Sequence, residues 1–486
     1  MPLRRGTRYA TMGGGEGSFS PLSLSPALWL DASDQSTLTM DGAASFASAS
    51  SQRLSCASNS TLQTGNVNYW YACWIYPTLL DLNLKQIIGN YYTSLAGGGD
   101  FSLSYRSDFL RLIVWNSSGW VISSLANMIP VINAWNFYFV YSDSVNLYAS
   151  LNGGSFVTAL STASAVTSTN PFYIGGNPNL ASVDGKIDSC AFGKPSSGWL
   201  ASNATALRNY LYNGGAGRRS SDFIGSSYYT GGNPSGAVSW WDLDERSGTR
   251  KDRIGTNDLT DNNSVGYASG IASGLVQYDG DPIKQWSDKS GNGRHATAAS
   301  DAKRPTYKTG IQNSKSVIRF DGVDDYYSIT GASAFTGSNL TVFSVSKFAT
   351  GSTQSLLSGT NSLITFNYTG STAHNFFLGG GSNYGQYAAS GGVYFLMSAV
   401  YDGSLAAANR ISLFRDGASK TLTLFGTIPT ETGSITAATI GAYVTGTVQF
   451  LNGDVCEMIV YTSSLSTSQR QQVERCLGNK WGITLS

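Results

Sequence analysis

Asp242, Asp244 and Glu245, in the run WWDLDERSG, are the nearest this chain comes to the paired carboxylates that cleave a glycosidic bond, one attacking or stabilising and one giving a proton. Two further acidic pairs, Asp184 with Asp188 in VDGKID and Asp454 with Glu457 in NGDVCEM, read as partners for hairpin and strand-edge hydrogen bonds. Asp321, Asp324 and Asp325 in FDGVDDYY cluster hard oxygens of the kind calcium takes, though a turn whose Asp side chains cap backbone amides uses the same residues. Calcium there is the one cofactor left open; no other is expected. Neither of the two histidines, His295 and His374, stands near a Ser or Cys in a nucleophile motif, so a histidine triad or zinc enzyme is not expected. The loop WSDKSGNGRH has the look of a phosphate cradle but lacks the Lys-Ser/Thr of one, and its Gly291, Asn292 and Gly293 read as a turn. Tyr91, Tyr92, Trp115 and Trp120 offer rings on which sugars stack, set against the habit of sandwich aromatics to fill the core.

The elements that must position these groups are strands. Charged residues make up 13% of the chain, aromatics 12%, and there are 56 glycines, a balance that favours short strands joined by polar turns. Runs at 69–76, 101–105, 110–115, 135–141, 145–151 and 172–174 are aromatic or β-branched and bounded by turn residues. The pattern returns at 316–320, 340–346, 394–401, 410–415 and 456–461. Helical spacing is confined to 200–212 and 466–480, the second opened by a capping-box pair, Ser466 and Gln469. Five widely spaced cysteines without a CxxC pair predict buried free thiols. The net charge of +1 gives no field for nucleic acid, no apolar run spans a bilayer, and the basic start is not followed by the apolar stretch of a secretory signal.

Length asks for two domains, since single cores stop growing at about 250–300 residues. The halves share a word order: WNFYFVYSD, VNLYASLNGG, FYIGGN and VDGKIDSCAFG in the first, YFLMSAVYDG, NRISLFRDGA, ATIGAY and LNGDVCEMIVY in the second. Each places a strong hairpin signal, Asn152-Gly153 or Asp416-Gly417, after an apolar strand. The first set, with YWYACWIYP, resembles the successive strands of a laminin-G-like, concanavalin A-like module. ALWLDASDQSTLT, IKQWSDKSGNGRHATAASDAKRPTY, SVIRFDGVDDYYSI and LSTSQRQQVERCLGNKWGI resemble the opening strand, Gly-rich loop, second strand and closing helix of a related subgroup.

The resemblance runs from about Ser25 onward and implies an all-β fold of two jelly-roll β-sandwiches. The opening strand at 27–39 is separated from its loop at Ile283, which implies that one module is inserted in the other. On that division 1–24 is a flexible arm, 25–40 plus 274–486 the host sandwich, and 41–273 the inserted, circularly permuted one. A plain tandem, with its second domain opening at 238–244, is the alternative. The spacing of Asp242, Asp244 and Glu245 departs from the Glu-x-Asp-x-(x)-Glu of the fold's glucanases, so no catalytic residue and no enzyme is expected. The resemblance extends to laminin-G-domain virion proteins of tailed bacteriophages. It implies a non-enzymatic, oligomeric capsid decoration or tail or fibre component, located in the virion, whose partners are other virion proteins and host-surface glycans, with no nucleic acid or membrane. Arg4, Arg5, Arg8 and Tyr9 would dock the arm onto the assembly. A bacterial surface or secreted carbohydrate-binding module is the alternative reading.

Overall fold

The computed structural model describes residues 19–65, 67–90, 101–116, 119–160, 169–276, 278–360, 364–369 and 372–486. Its strands are antiparallel throughout the named pairings and form two sandwiches. Among the described residues, no helix is long and apolar enough to cross a membrane.

The strand Tyr69–Pro77 shows why the first sandwich forms. Successive side chains of a strand point to opposite faces. Tyr69, Tyr71, Cys73 and Ile75 enter the inter-sheet core, while Trp70, Ala72 and Trp74 lie on the other face with Phe137, Phe139 and Trp240. The helix Trp199–Tyr212 covers that outer face through Leu200, Ala204, Leu207 and Leu211. A sheet buried on both faces explains a strand with no polar alternation. The opposing sheet runs from Thr260–Asn262 to Gly119–Leu125 and supplies Leu54, Ile88, Leu103 and Leu112 to the core.

The second sandwich repeats the plan. Leu340, Val342, Phe348, Val455, Met458 and Val460 face the inter-sheet core, and Phe343, Val345, Cys456 and Ile459 face the closing helix Thr467–Trp481. That helix begins with the expected box: Ser466 Oγ accepts from Gln469 N, and Gln469 accepts from Ser466 N. Matching close approaches recur in both sandwiches. A Cβ on Gly185 would lie 2.0 Å from Tyr76 O, and one on Gly453 would lie 2.0 Å from Lys347 O. Asn152 and Asp416, at φ 49° and 52°, open left-handed turns. Their side chains accept from Phe137 N and Leu396 N, at 2.7 and 2.8 Å.

Leu28–Asp31 pairs with Asn452–Tyr461, placing Leu28 and Leu30 in the second core. Trp29 Nε1 and Trp481 Nε1 both donate to Glu457 at 2.7 Å, and Lys480 bridges Glu457 and Asp31, so opening strand, central strand and closing helix share one buried carboxylate. Leu38–Phe46 then spans both sandwiches. Its first residues pair with Gln285–Trp286 and pack in the second core, and its last pair with Gly185–Gly193 and pack in the first. Gly266–Leu275 runs back along it in two registers, Gly266–Ala268 against Ser45–Ala43 and Ser273–Leu275 against Asp41–Thr39, with a bulge between Ala268 and Ser273.

Candidate functional site

FDGVDDYY forms the turn between Lys315–Asp321 and Tyr327–Ile329, and it brings the carboxylates of Asp321, Asp324 and Asp325 within 4.8 Å of one another. Much of their capacity serves the turn itself. Asp321 Oδ1 accepts from Val323 N at 2.8 Å and Asp324 N at 3.3 Å, and Asp325 Oδ2 accepts from Asp321 N at 3.2 Å. Asp325 Oδ1 is buried without a hydrogen bond, its nearest cation being Arg246 Nη2 at 3.8 Å. Burial, with the neighbouring Asp321 charge, pushes Asp325 up to about 7. Such an oxygen set suits a hard cation.

Trp115 and Trp120 face each other across the hairpin of Leu110–Asn116 and Gly119–Leu125, with ring centroids 4.5 Å apart and planes at 74°. Leu110, Leu112 and Val114 take the core side of their strand, so the alternation turns Trp115 to the outer face, where both indoles are half-buried. Tyr91 and Tyr92 lie outside the described residues, as do Arg4, Arg5, Arg8 and Tyr9 of the arm.

Asp242, Asp244 and Glu245 leave the end of Ala237–Trp241 and enter a buried ionic cluster. Asp242 accepts from Ser220 N, Ser220 Oγ and Trp240 Nε1 at 2.8, 2.6 and 2.9 Å. Asp244 is bonded to Arg219, and to Arg253 at 2.9 Å. Burial raises its pKa, but the two guanidinium charges outweigh burial and hold it below the usual range. Glu245 accepts from Lys251 N at 2.8 Å and Arg253 Nη2 at 3.1 Å; burial, then the Asp244 charge, push it up to about 7. Asp242 and Asp244 are fully enclosed and matched to arginine, so they hold the fold together and do not present a carboxylate pair to a substrate.

The other acidic pairs are likewise committed. Asp184 accepts from Ser48 N and Lys85, Asp188 from Ile271 N and Ala272 N, and Asp454 from both nitrogens of the Arg319 fork. Asp288 of the Gly-rich loop accepts from Trp29 N, Ser290 N and Arg294 N, which makes the loop an anchor for the opening strand. His374 sits in the second core bonded to Tyr387 Oη at 2.8 Å, and burial lowers it to about 3. Cys73, Cys190 and Cys456 are buried free thiols as expected, but Cys56 and Cys476 are only half-buried. Sequence reasoning missed one feature. Beside Glu245, the segment 245–253, the loop 278–281, Thr306 and Lys308 line a half-open cavity of about 700 Å³.

Residues 47–193 match the family model Laminin_G_3, of the concanavalin A-like lectin/glucanases superfamily. The stretch 47–193 is thus a laminin-G-like, concanavalin A-like module, within a chain whose fold is two β-sandwiches. Similar solved structures include mouse laminin alpha1 chain domains LG4-5, at 12% identity over 96% of each chain with a TM-score of 0.28. Another is the CBM40 of Ruminococcus gnavus IT-sialidase bound to alpha2,3 sialyllactose, at 17% identity over 34% of this chain and 98% of that one, TM-score 0.27. A third is Trypanosoma rangeli sialidase in complex with sialic acid, at 11% identity over 85% of this chain and 74% of that one, TM-score 0.29. No curated protein matches the chain.

Proposed function

We propose that this chain is a non-enzymatic, glycan-binding structural protein of a bacteriophage particle, a capsid decoration or a tail or fibre component whose sandwiches face outward. The observation that carries the glycan part is the Trp115–Trp120 pair, two indoles set edge to face on the outer side of the sheet in the stretch that matches the lectin superfamily. Aromatic faces left partly open to water are what sugar rings stack against. The absence of catalysis is supported by the arginine pairing of Asp242 and Asp244. Attachment to other virion proteins is assigned to Arg4, Arg5, Arg8 and Tyr9 of the arm. On a glycan array the intact protein is expected to retain host-surface glycans without releasing sugar. Trp120→Ala should weaken retention at least tenfold, about 1.4 kcal/mol, with an unchanged circular dichroism spectrum. Equal retention by the variant would remove the indole pair from the site, and failure to co-purify with intact particles would favour a bacterial surface or secreted module.

Calcium at Asp321, Asp324 and Asp325 is part of the same proposal, supported by the buried Asp325 oxygen without a donor. Protein stripped with chelator should gain thermal stability on adding calcium, and Asp325→Asn should abolish the gain. No gain in the wild type would leave the turn as a backbone cap alone.

A further inference from the structure

The cavity beside Glu245 has walls from both sandwiches and a volume of about 700 Å³, within the roughly 300–1,000 Å³ of small-ligand sites. Its donors and acceptors are unequally satisfied. The acids that line it are turned to the protein: Asp252 accepts from four backbone amides, Trp240, Ile254, Gly255 and Asn257, and Asp279 from Thr309 N and Lys308. Asp281 accepts from Tyr278 N at 2.8 Å, and Glu245 Oε1 is held by Lys251 N and Arg253. The cations keep capacity. Among the described residues, Arg253 uses only Nη2 for hydrogen bonds, to Asp244 and Glu245, with Asp242 a looser ion-pair partner 3.8 Å from Nε; its side chain is 5% exposed and its guanidinium lies 3.7 Å from the Tyr278 ring centroid. Arg246 likewise hydrogen-bonds only through Nη2, to the carbonyls of Asp301 and Arg304, with Asp325 of the acidic turn 3.8 Å from the same nitrogen, which leaves Nε and Nη1 for a ligand. Lys251 and Lys308 each hold one carboxylate, leaving two of three ammonium donors. Ser247 and Thr249 add hydroxyls and Tyr278 a ring.

A guanidinium fork pairs best with a planar carboxylate, and hydroxyls beside an aromatic face suit the rest of a sugar. We propose that this inter-sandwich cavity is a second ligand site, separate from the Trp115–Trp120 pair, that takes an acidic oligosaccharide by seating a uronate carboxylate against Arg253 and Arg246. Burial and the Asp244 charge push Glu245 up to about 7, which weakens the repulsion from one of the four acids lining the cavity, while Asp252, Asp279 and Asp281 are turned to backbone amides and Lys308.

The test is calorimetric titration of the full chain with tetramers of galacturonate, guluronate and hyaluronate, and with a neutral galactan tetramer. At least one uronate should bind, the neutral tetramer at least tenfold more weakly. Arg246→Gln with Lys308→Gln should weaken uronate binding at least tenfold, while Trp120→Ala should leave it unchanged. Both replaced side chains are partly exposed, and Lys251→Gln with Lys308→Gln, at the rim, supplies a second variant should the first be unstable. Binding of no uronate, equal binding of the neutral tetramer, unchanged affinity in a folded variant, or loss through Trp120→Ala would each overturn the proposal. The last result would return the ligand to the indole pair.

Discussion

Arg219→Met is expected to destabilise the first sandwich by about 3–5 kcal/mol, the range for breaking one partner out of a buried ionic group. Arg219 precedes the short helix Ser220–Ile224, is 2% exposed, and bonds Asp244 with Asp242 a further 3.8 Å away. Its stem packs where a Cβ on Gly274 would stand, 2.5 Å from Cδ, so the side chain also ties that helix to the ribbon strand Gly266–Leu275. Without the guanidinium, Asp244 keeps only Arg253, and Asp188 loses an attraction it feels through the interior. Urea unfolding followed by intrinsic tryptophan fluorescence checks the loss. The double variant Arg219→Met with Asp244→Leu should recover a large part of it, because the stranded charge, not the missing contact, is the main cost. A single variant within about 1 kcal/mol of wild type would show that the cluster is open to water.

Acidification from pH 8 to 5.5 should stabilise the protein, the reverse of common acid behaviour. Burial pushes Asp188 from 3.8 up to about 7 against the pull of the Ala272 and Ile271 amides and of Arg219. An acid whose folded pKa is raised contributes stability that is full below the unfolded value and is lost as pH rises through the folded one. For Asp188 the window is therefore about 4 to 7, and between pH 8 and 5.5 the linkage integral gives about 2 kcal/mol at most. Glu245 and Asp325, both pushed up to about 7, act with the same sign. Asp31, Asp34 and Asp244 are held low, and their opposite contribution is lost only as pH falls through values below 3.8. His374, lowered from 6.5 to about 3, opposes the gain by about 1 kcal/mol over the same range, less than the three acids together supply. Melting temperature against pH reads the slope. Asp188→Asn should flatten it and raise stability at pH 8, whereas an unaltered slope in the variant would remove Asp188 as a source.

The strands were legible wherever two-faced burial left a continuous apolar run, as in YWYACWIYP, and the last helix wherever a cap stood before spaced apolar residues. The shared word order was legible for a physical reason now visible: Gly185 and Gly453 meet equivalent carbonyls, and Asn152 and Asp416 accept equivalent amides. Local chemistry set the boundaries that differed. The run at 145–151 begins as a strand only at Leu147 because Asp143 takes the amides of Val145 and Asn146 into a turn. The helix Ser220–Ile224, five residues in GRRSSDFIG, carried no periodicity to read. The acidic turn at 321–325 was visible because its members are sequence neighbours. The cavity was not, since its walls come from segments near 250, 280 and 307 that only the paired sandwiches bring together.

The ribbon of Leu38–Phe46 and Gly266–Leu275 has a mechanical consequence. A single-chain tether lets two bodies swivel about it, whereas here two covalent strands leave one sandwich and enter the other side by side, paired on each side of a bulge between Ala268 and Ser273. Tension between the bodies is shared by both backbones in parallel, while bending and twisting concentrate at the bulge, where the pairing is interrupted. The pair should therefore resist separation of the sandwiches more strongly than it resists their hinging.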